Sequence, residues 1–169
     1  PGTGFGTHGH RDMEIVSYVL DGALGHKDSM GNGASIVPGD VQRMTAGTGV
    51  MHSEFNHAVD QQTHFLQIWL LPEARGLKPG YEQKHFAPDS KRGRLALLAA
   101  PDARDGAIRL NADAALYAGL FDGAERATLA LNPQRLAYVH VARGAVSVNG
   151  HRLEAGDAAR FDGETALEL

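Results

Sequence analysis

Twenty-one glycines interrupt this 169-residue chain at short intervals. The apolar runs between them are brief, which is the pattern of many short strands joined by tight turns, and segments with helical periodicity are scarce. In the first half the pattern predicts strands over 13–21, 23–30, 34–37, 41–45, 50–56 and 63–71. Asp21-Gly22, Gly31-Asn32-Gly33, Pro38-Gly39-Asp40 and Ala46-Gly47-Thr48-Gly49 punctuate them with residues that tolerate turn geometry, and Pro72 ends the sixth. From Pro72 to Arg94 the composition shifts to Pro, Gly, Lys and Arg, as in an extended connector. A second set of strands is then predicted over 94–99, 107–110, 115–121, 127–131, 136–142, 145–148 and 158–161.

Two features narrow the partners. The net charge of −4 is spread without basic or acidic runs, so nothing marks a nucleic-acid or anionic-membrane surface. There is no cysteine, so a metal would have to be held by imidazole and carboxylate. That chemistry suits a reducing cytosol. No stretch approaches the roughly 18 apolar residues needed to span a bilayer, and a cytoplasmic location is expected.

The halves echo each other. Tyr18-Val19-Leu20-Asp21-Gly22-Ala23 parallels His140-Val141-Ala142-Arg143-Gly144-Ala145, and the turn at Gly39-Asp40 recurs at Gly156-Asp157. Two related β units in one chain would account for both.

Side chains two apart on a strand share a face, so His8 pairs with His10 and His52 with Glu54. If the two segments run antiparallel across one interior, three imidazoles and a carboxylate converge. Such a set suits a divalent first-row metal and leaves positions open for water, dioxygen or substrate. Glu14 is a rival carboxylate, since it shares even numbering with His8 and His10.

These residues also carry a family resemblance. The segment from Gly2, with five residues before His8-x-His10, three more before Glu14 and a later glycine at Gly22, resembles the first cupin motif. The segment from Gly39 to His52-x3-Asn56 resembles the second, with Thr45 where proline is common and two extra residues before the histidine. His8-Gly-His10-Arg11-Asp-Met-Glu14-Ile-Val-Ser-Tyr18, together with Met44-Thr-Ala-Gly47-Thr-Gly49-Val-Met-His52-Ser-Glu54, is similar to the pirin family and its bacterial quercetin 2,3-dioxygenase-like branch. Gly25-His26-Lys27-Asp28-Ser29, Gln67-Ile-Trp69-Leu-Leu-Pro72, Pro79-Gly-Tyr81-Glu82-Gln83 and Leu116-Tyr117-Ala-Gly119 extend the likeness along the chain.

The resemblance implies an all-β fold of cupin double-stranded β-helix (jelly-roll-like) barrels in a bicupin arrangement. An N-terminal metal-binding barrel is expected over 1–71, lacking its early strands, then a connector over 72–93 and a C-terminal barrel over 94–169 without metal ligands. With Pro1 at one end and Glu168-Leu169 inside a strand at the other, the chain reads as truncated at both ends. The implied ligands are His8, His10, His52 and Glu54, with Glu14 left to orient a ligand imidazole, or to replace Glu54 as ligand. Fe(II) is the favoured metal, and Ni, Cu, Mn, Co or Zn also fit these donors.

The implied activity is opening of a flavonol such as quercetin by O2 with release of carbon monoxide, with Glu54 or Glu14 as the catalytic base. Pirin-like proteins also include redox-responsive regulators that act through protein partners, and that alternative stays open. Elsewhere the pattern places His26 at the surface, His57 and His64 on strand ends or loops with pocket lining as the alternative, and Trp69, Met44 and Met51 in the core, while His85, His140 and His151 lack a partner at ligand spacing.

Overall fold

The computed structural model describes all 169 residues, and nearly all its regular structure is β. The helical content is two single 3₁₀ turns, Pro88–Ser90 and Arg104–Gly106, so no helix is long and apolar enough to cross a membrane. The chain forms two compact units: Pro1–Ser90 with Leu97–Ala118, and Lys91–Ala96 with Gly119–Leu169.

The first unit is built on two four-stranded sheets. One contains β1 (Gly4–His10), β3 (Leu24–Asp28), β4 (Gly33–Ile36) and β6 (Val50–Asn56), in the order β1-β6-β3-β4. The other contains β2 (Glu14–Asp21), β5 (Asp40–Thr45), β7 (His64–Leu70) and β8 (Gly80–His85), in the order β7-β2-β5-β8. Every ladder in both is antiparallel, and neither ladder closes on itself. Residues 80–85, expected within a connector, form an edge strand paired with β5. β8 carries Tyr, Glu, Gln, Lys and His, so no apolar alternation announces it.

Strand parity divides the second sheet into two chemically different faces. Val16 and Val41 pack with Phe86, Leu98, Ala99, Ile108 and Leu110 in an apolar core. The last four come from β9 (Leu95–Ala100), β10 (Ile108–Arg109) and the residue after it; β9 also pairs with β11 (Leu116–Gly119). Ile15, Ser17 and Val19 point the other way, toward the first sheet. There Ile15 meets Met44 and Val50, while Val19 meets Leu24 and Ile36. Apolar contacts at both ends of this interior leave a polar centre between them.

The second unit contains β12 (Thr128–Ala130), β13 (Ala137–His140), β14 (Ala145–Val148), β15 (His151–Glu154), β16 (Ala158–Phe161) and β17 (Ala166–Glu168). Their pairing is nested: β14 with β15, β13 with β16, β12 with β17. This is one long hairpin folded over on itself, the device from which jelly rolls are made. Val141, Val148, Leu153, Phe161 and Leu167 form its core.

Candidate metal centre

β1 and β6 run antiparallel, with His8 opposite His52 and His10 opposite Val50. Between Phe5 and His8 the register slips, because β1 spends three steps where β6 spends two from Glu54 to His52. Such a bulge re-aims side chains, and here it leaves Phe5, His8 and His10 on the face of Glu54 and His52. His8, His10 and His52 offer ligand atoms that all lie within 4.8 Å of one another. Their ring centroids are 4.4–4.9 Å apart, in tilted or edge-on contact.

The ring nitrogens are disposed as a metal requires. His8 Nδ1 lies 2.8 Å from the Gly6 carbonyl oxygen, which can only accept, so Nδ1 carries the proton and Nε2 the lone pair. That Nε2 stands 3.0 Å from His52 Nε2. Two imidazoles on one ion, each about 2.1 Å from it and at right angles, are separated by about 3.0 Å. His10 Nε2 is buried without any hydrogen-bond partner. Burial, then the nearby charge of His8, pulls His10 below its ordinary value. Burial also dominates at His52, reinforced by His8, His10 and His26 against the opposing Asp28, and brings it to about 4. His10 and His52 are therefore neutral near pH 7, the state in which imidazole coordinates.

Glu54 sits two residues along β6 and is 1% exposed. Its Oε2 accepts a 2.7 Å hydrogen bond from Gln67 Nε2 and its Oε1 a 3.4 Å bond from Ser17 Oγ. It belongs to a second group of potential ligands with His52 and His26, again within 4.8 Å, so the two groups meet at His52. Of the expected site residues, the structure brings His8, His10 and His52 together and joins Glu54 to them through His52. Glu14 stands apart from both groups. It lies on the Val16 face of β2, where its Oε2 accepts from the backbone N of Asn111 at 3.1 Å.

His26 is the residue that sequence reasoning missed. Expected at the surface, it is 3% exposed, with its ring 5.4 Å from that of His52. The available signal was the alternation Leu24-x-His26-x-Asp28, which puts His26 on the face of a core leucine. His26 Nε2 pairs with Asp28 Oδ2 at 3.0 Å, while its Nδ1 has no partner. Burial alone would raise the Asp28 carboxyl, but hydrogen bonds from His26, Asn32 and Met30 outweigh it and hold the group below its usual range. The Tyr81 ring packs 5.2 Å from His26, and its hydroxyl is pushed up to about 12 by burial, Asp28 and Asp40.

Two expected core residues are displaced outward. Trp69 lies on β7, at the edge of its sheet, and is 55% exposed, with its ring in edge-to-face contact with that of His10 at 5.1 Å. Met51 points away from the interior and is also exposed, whereas Met44 is fully buried. His57 and His64 are exposed, in keeping with strand-end or loop positions, and His85 is exposed as well. Space adjoins the cluster on two sides. A cavity of about 390 Å³ reaches Glu54 between Phe5 and Phe65, and another of about 360 Å³ lies against His10, Arg11 and Met51.

Comparison with known proteins finds relatives along the whole chain. The Pirin family profile matches residues 2–70, and the profile for the quercetinase C-terminal cupin domain matches 97–169. A quercetin 2,3-dioxygenase of Escherichia coli (strain K12) is 39% identical over 168 residues, which cover 99% of this chain and 71% of that protein. A pirin-like protein of Caulobacter vibrioides is 38% identical over 170 residues, covering 100% and 73%. The crystal structure of YhhW from Escherichia coli superposes with a TM-score of 0.93 at 38% identity, over 99% of this chain and 70% of that one. The structure of YhhW in complex with nickel(II) gives 0.91 at 39% identity, over 99% and 71%.

Proposed function

The chain belongs to the pirin family, and from that premise we propose that it is a metal-dependent dioxygenase that opens a flavonol such as quercetin with O2, releasing carbon monoxide. The observation that carries this reading is the trio His8, His10 and His52, with converging ring nitrogens 3.0 Å apart at their closest. Glu54 completes a His3Glu set in the first unit, built on Pro1–Ser90 with Leu97–Ala118, and the second unit is taken to hold no metal. Fe(II) is the favoured ion, with Ni, Cu, Mn, Co and Zn compatible with the same donors. Bound there, the metal supplies a Lewis acid and a redox partner for flavonol and dioxygen.

The protein's own groups do the rest. His10 and His52, held neutral near pH 7, need not release protons to coordinate, and the Gly6 carbonyl accepts from His8 Nδ1 so that Nε2 faces inward. The Glu54 carboxylate is the base that takes the flavonol 3-hydroxyl proton, aimed by Gln67 and Ser17. Glu14 is less suited to that task, since its carboxylate is already engaged by Asn111 on the far face of β2. The apolar walls at Phe5 and Phe65 favour a flat aromatic substrate beside that base.

Aerobic incubation of the protein with quercetin, after loading with each candidate metal in turn, tests the proposal. Loss of the flavonol absorbance with carbon monoxide release is expected for at least one metal, and its abolition in His52→Ala. No turnover with any of them removes the dioxygenase reading.

A further inference from the structure

Trp69 is the only tryptophan in the chain, and about half of it faces solvent. An indole left in water forgoes the stabilisation that burial would bring. Its polar end nevertheless turns inward. Nε1–H donates to Gln67 Oε1 at 3.0 Å, and Gln67 Nε2 donates onward to Glu54 Oε2 at 2.7 Å. The orientation of the amide is dictated from both ends: an indole N–H can only donate and a carboxylate can only accept, so a flipped Gln67 would satisfy neither. Register places Trp69 opposite Ile15 and Gln67 opposite Ser17, the second donor to Glu54. The indole and the His10 ring are in edge-to-face contact at 5.1 Å, and His10 Nε2 has no partner. A half-exposed indole thus borders the imidazole cluster and is tied, through one side chain, to its carboxylate.

We propose that Trp69 is the platform on which the planar phenolic ring system of the substrate stacks, and that the Trp69-Gln67-Glu54 chain couples the seating of that ring to the orientation of the Glu54 carboxylate. Trp69 is then a binding residue and Gln67 a positioning residue. The substrate class rests on the dioxygenase reading; the aromatic platform and its tie to Glu54 rest on the geometry alone.

Because Trp69 is the only indole, excitation near 295 nm reports on it without interference from any other. Metal-loaded full chain is titrated with quercetin, correcting for the flavonol's own absorbance, and steady-state turnover is measured alongside. Saturable quenching of Trp69 emission is expected. Trp69→Ala should raise KM for quercetin on the order of tenfold, the loss of one aromatic contact, with bound metal unchanged. Trp69→Phe keeps a ring but removes the N–H, so KM stays near that of the wild type while kcat falls. Gln67→Leu lowers kcat in the same way. Turnover without quenching, or an unaltered KM in Trp69→Ala, overturns the platform, and an unaltered kcat in Gln67→Leu overturns the coupling. Saturable quenching without turnover supports the platform while sinking the dioxygenase reading, so the two fail separately.

Discussion

Acid should destabilise the metal-free protein through His52, by an amount that follows from its surroundings. An ordinary histidine titrates near 6.5, and His52 in the folded chain is brought to about 4. Between those values the unfolded chain binds a proton that the folded chain refuses, so stability present above pH 6.5 is lost as the pH falls toward 4. At pH 4.5 the difference amounts to about 2.5 kcal/mol, or roughly 1 M in the midpoint of urea unfolding. His52 is 1% exposed, so solvent screening takes little from that figure. His10 shifts in the same direction and steepens the loss. Urea unfolding of metal-free wild type and His52→Gln at pH 7.5, 6.5, 5.5 and 4.5 isolates the contribution, since carboxylates such as Asp28 titrate in both. The wild type should lose about 2.5 kcal/mol more than the variant across that range. Parallel losses in the two proteins would refute the reasoning, because His52 would then take up its proton in the fold as readily as in the unfolded chain.

Three further outcomes are expected. Glu54→Ala should weaken metal binding at least roughly tenfold, whereas Glu14→Ala should keep the metal and cost about 1–3 kcal/mol by leaving the Asn111 N–H without its acceptor; metal analysis after dialysis separates them, and a greater metal loss from Glu14→Ala defeats the assignment. Met44→Ala should cost about 2–5 kcal/mol, since Met44 is fully buried between Ile15 and Val50; a calorimetric loss under about 1 kcal/mol contradicts that packing. Gly47 has φ 46° and an added Cβ would fall on the Leu77 carbonyl, so Gly47→Ala should cost at least about 2 kcal/mol in urea unfolding, and a neutral result would show that the turn yields.

Where strands have two-residue alternation and glycine at their ends, the sequence is readable. β2, β4, β5, β6 and β7 fall within a residue of their expected limits. β1 was not marked by pattern, because three of its seven residues are glycine, and it was inferred only through the parity of His8 and His10. β8 escaped because apart from Gly80 and Tyr81 its residues are polar, so no apolar alternation marks it. Parity also misleads once it crosses a loop. His8, His10 and Glu14 are all even, yet Asp12, at φ 50°, reverses the backbone between β1 and β2 and resets the count, so Glu14 emerges facing the Val16 core. Within one strand the rule is sound, and applied to β3 it would have brought His26 inside.

The two ligand groups share His52, and that sharing explains why its protonation is so unfavourable. Three other histidines surround it, His8, His10 and His26, and their effect outweighs the opposing charge of Asp28. Once His52 is protonated, positive charge on any of these neighbours would repel it at a position that is itself buried. Crowding four imidazoles this way contributes little to a fold that could have placed leucine there, and it makes the protein fragile in acid. The arrangement becomes favourable when a cation supplies the positive charge that the lone pairs already face, because an ion that binds only the folded form adds stability in proportion to the logarithm of its concentration over Kd. His10 Nε2, buried and unpartnered, is costly for the same reason and relieved in the same way. The histidines are thus better understood as a site held open for a metal than as core residues, and the Gly6 carbonyl that fixes the His8 tautomer serves that purpose before any ion arrives.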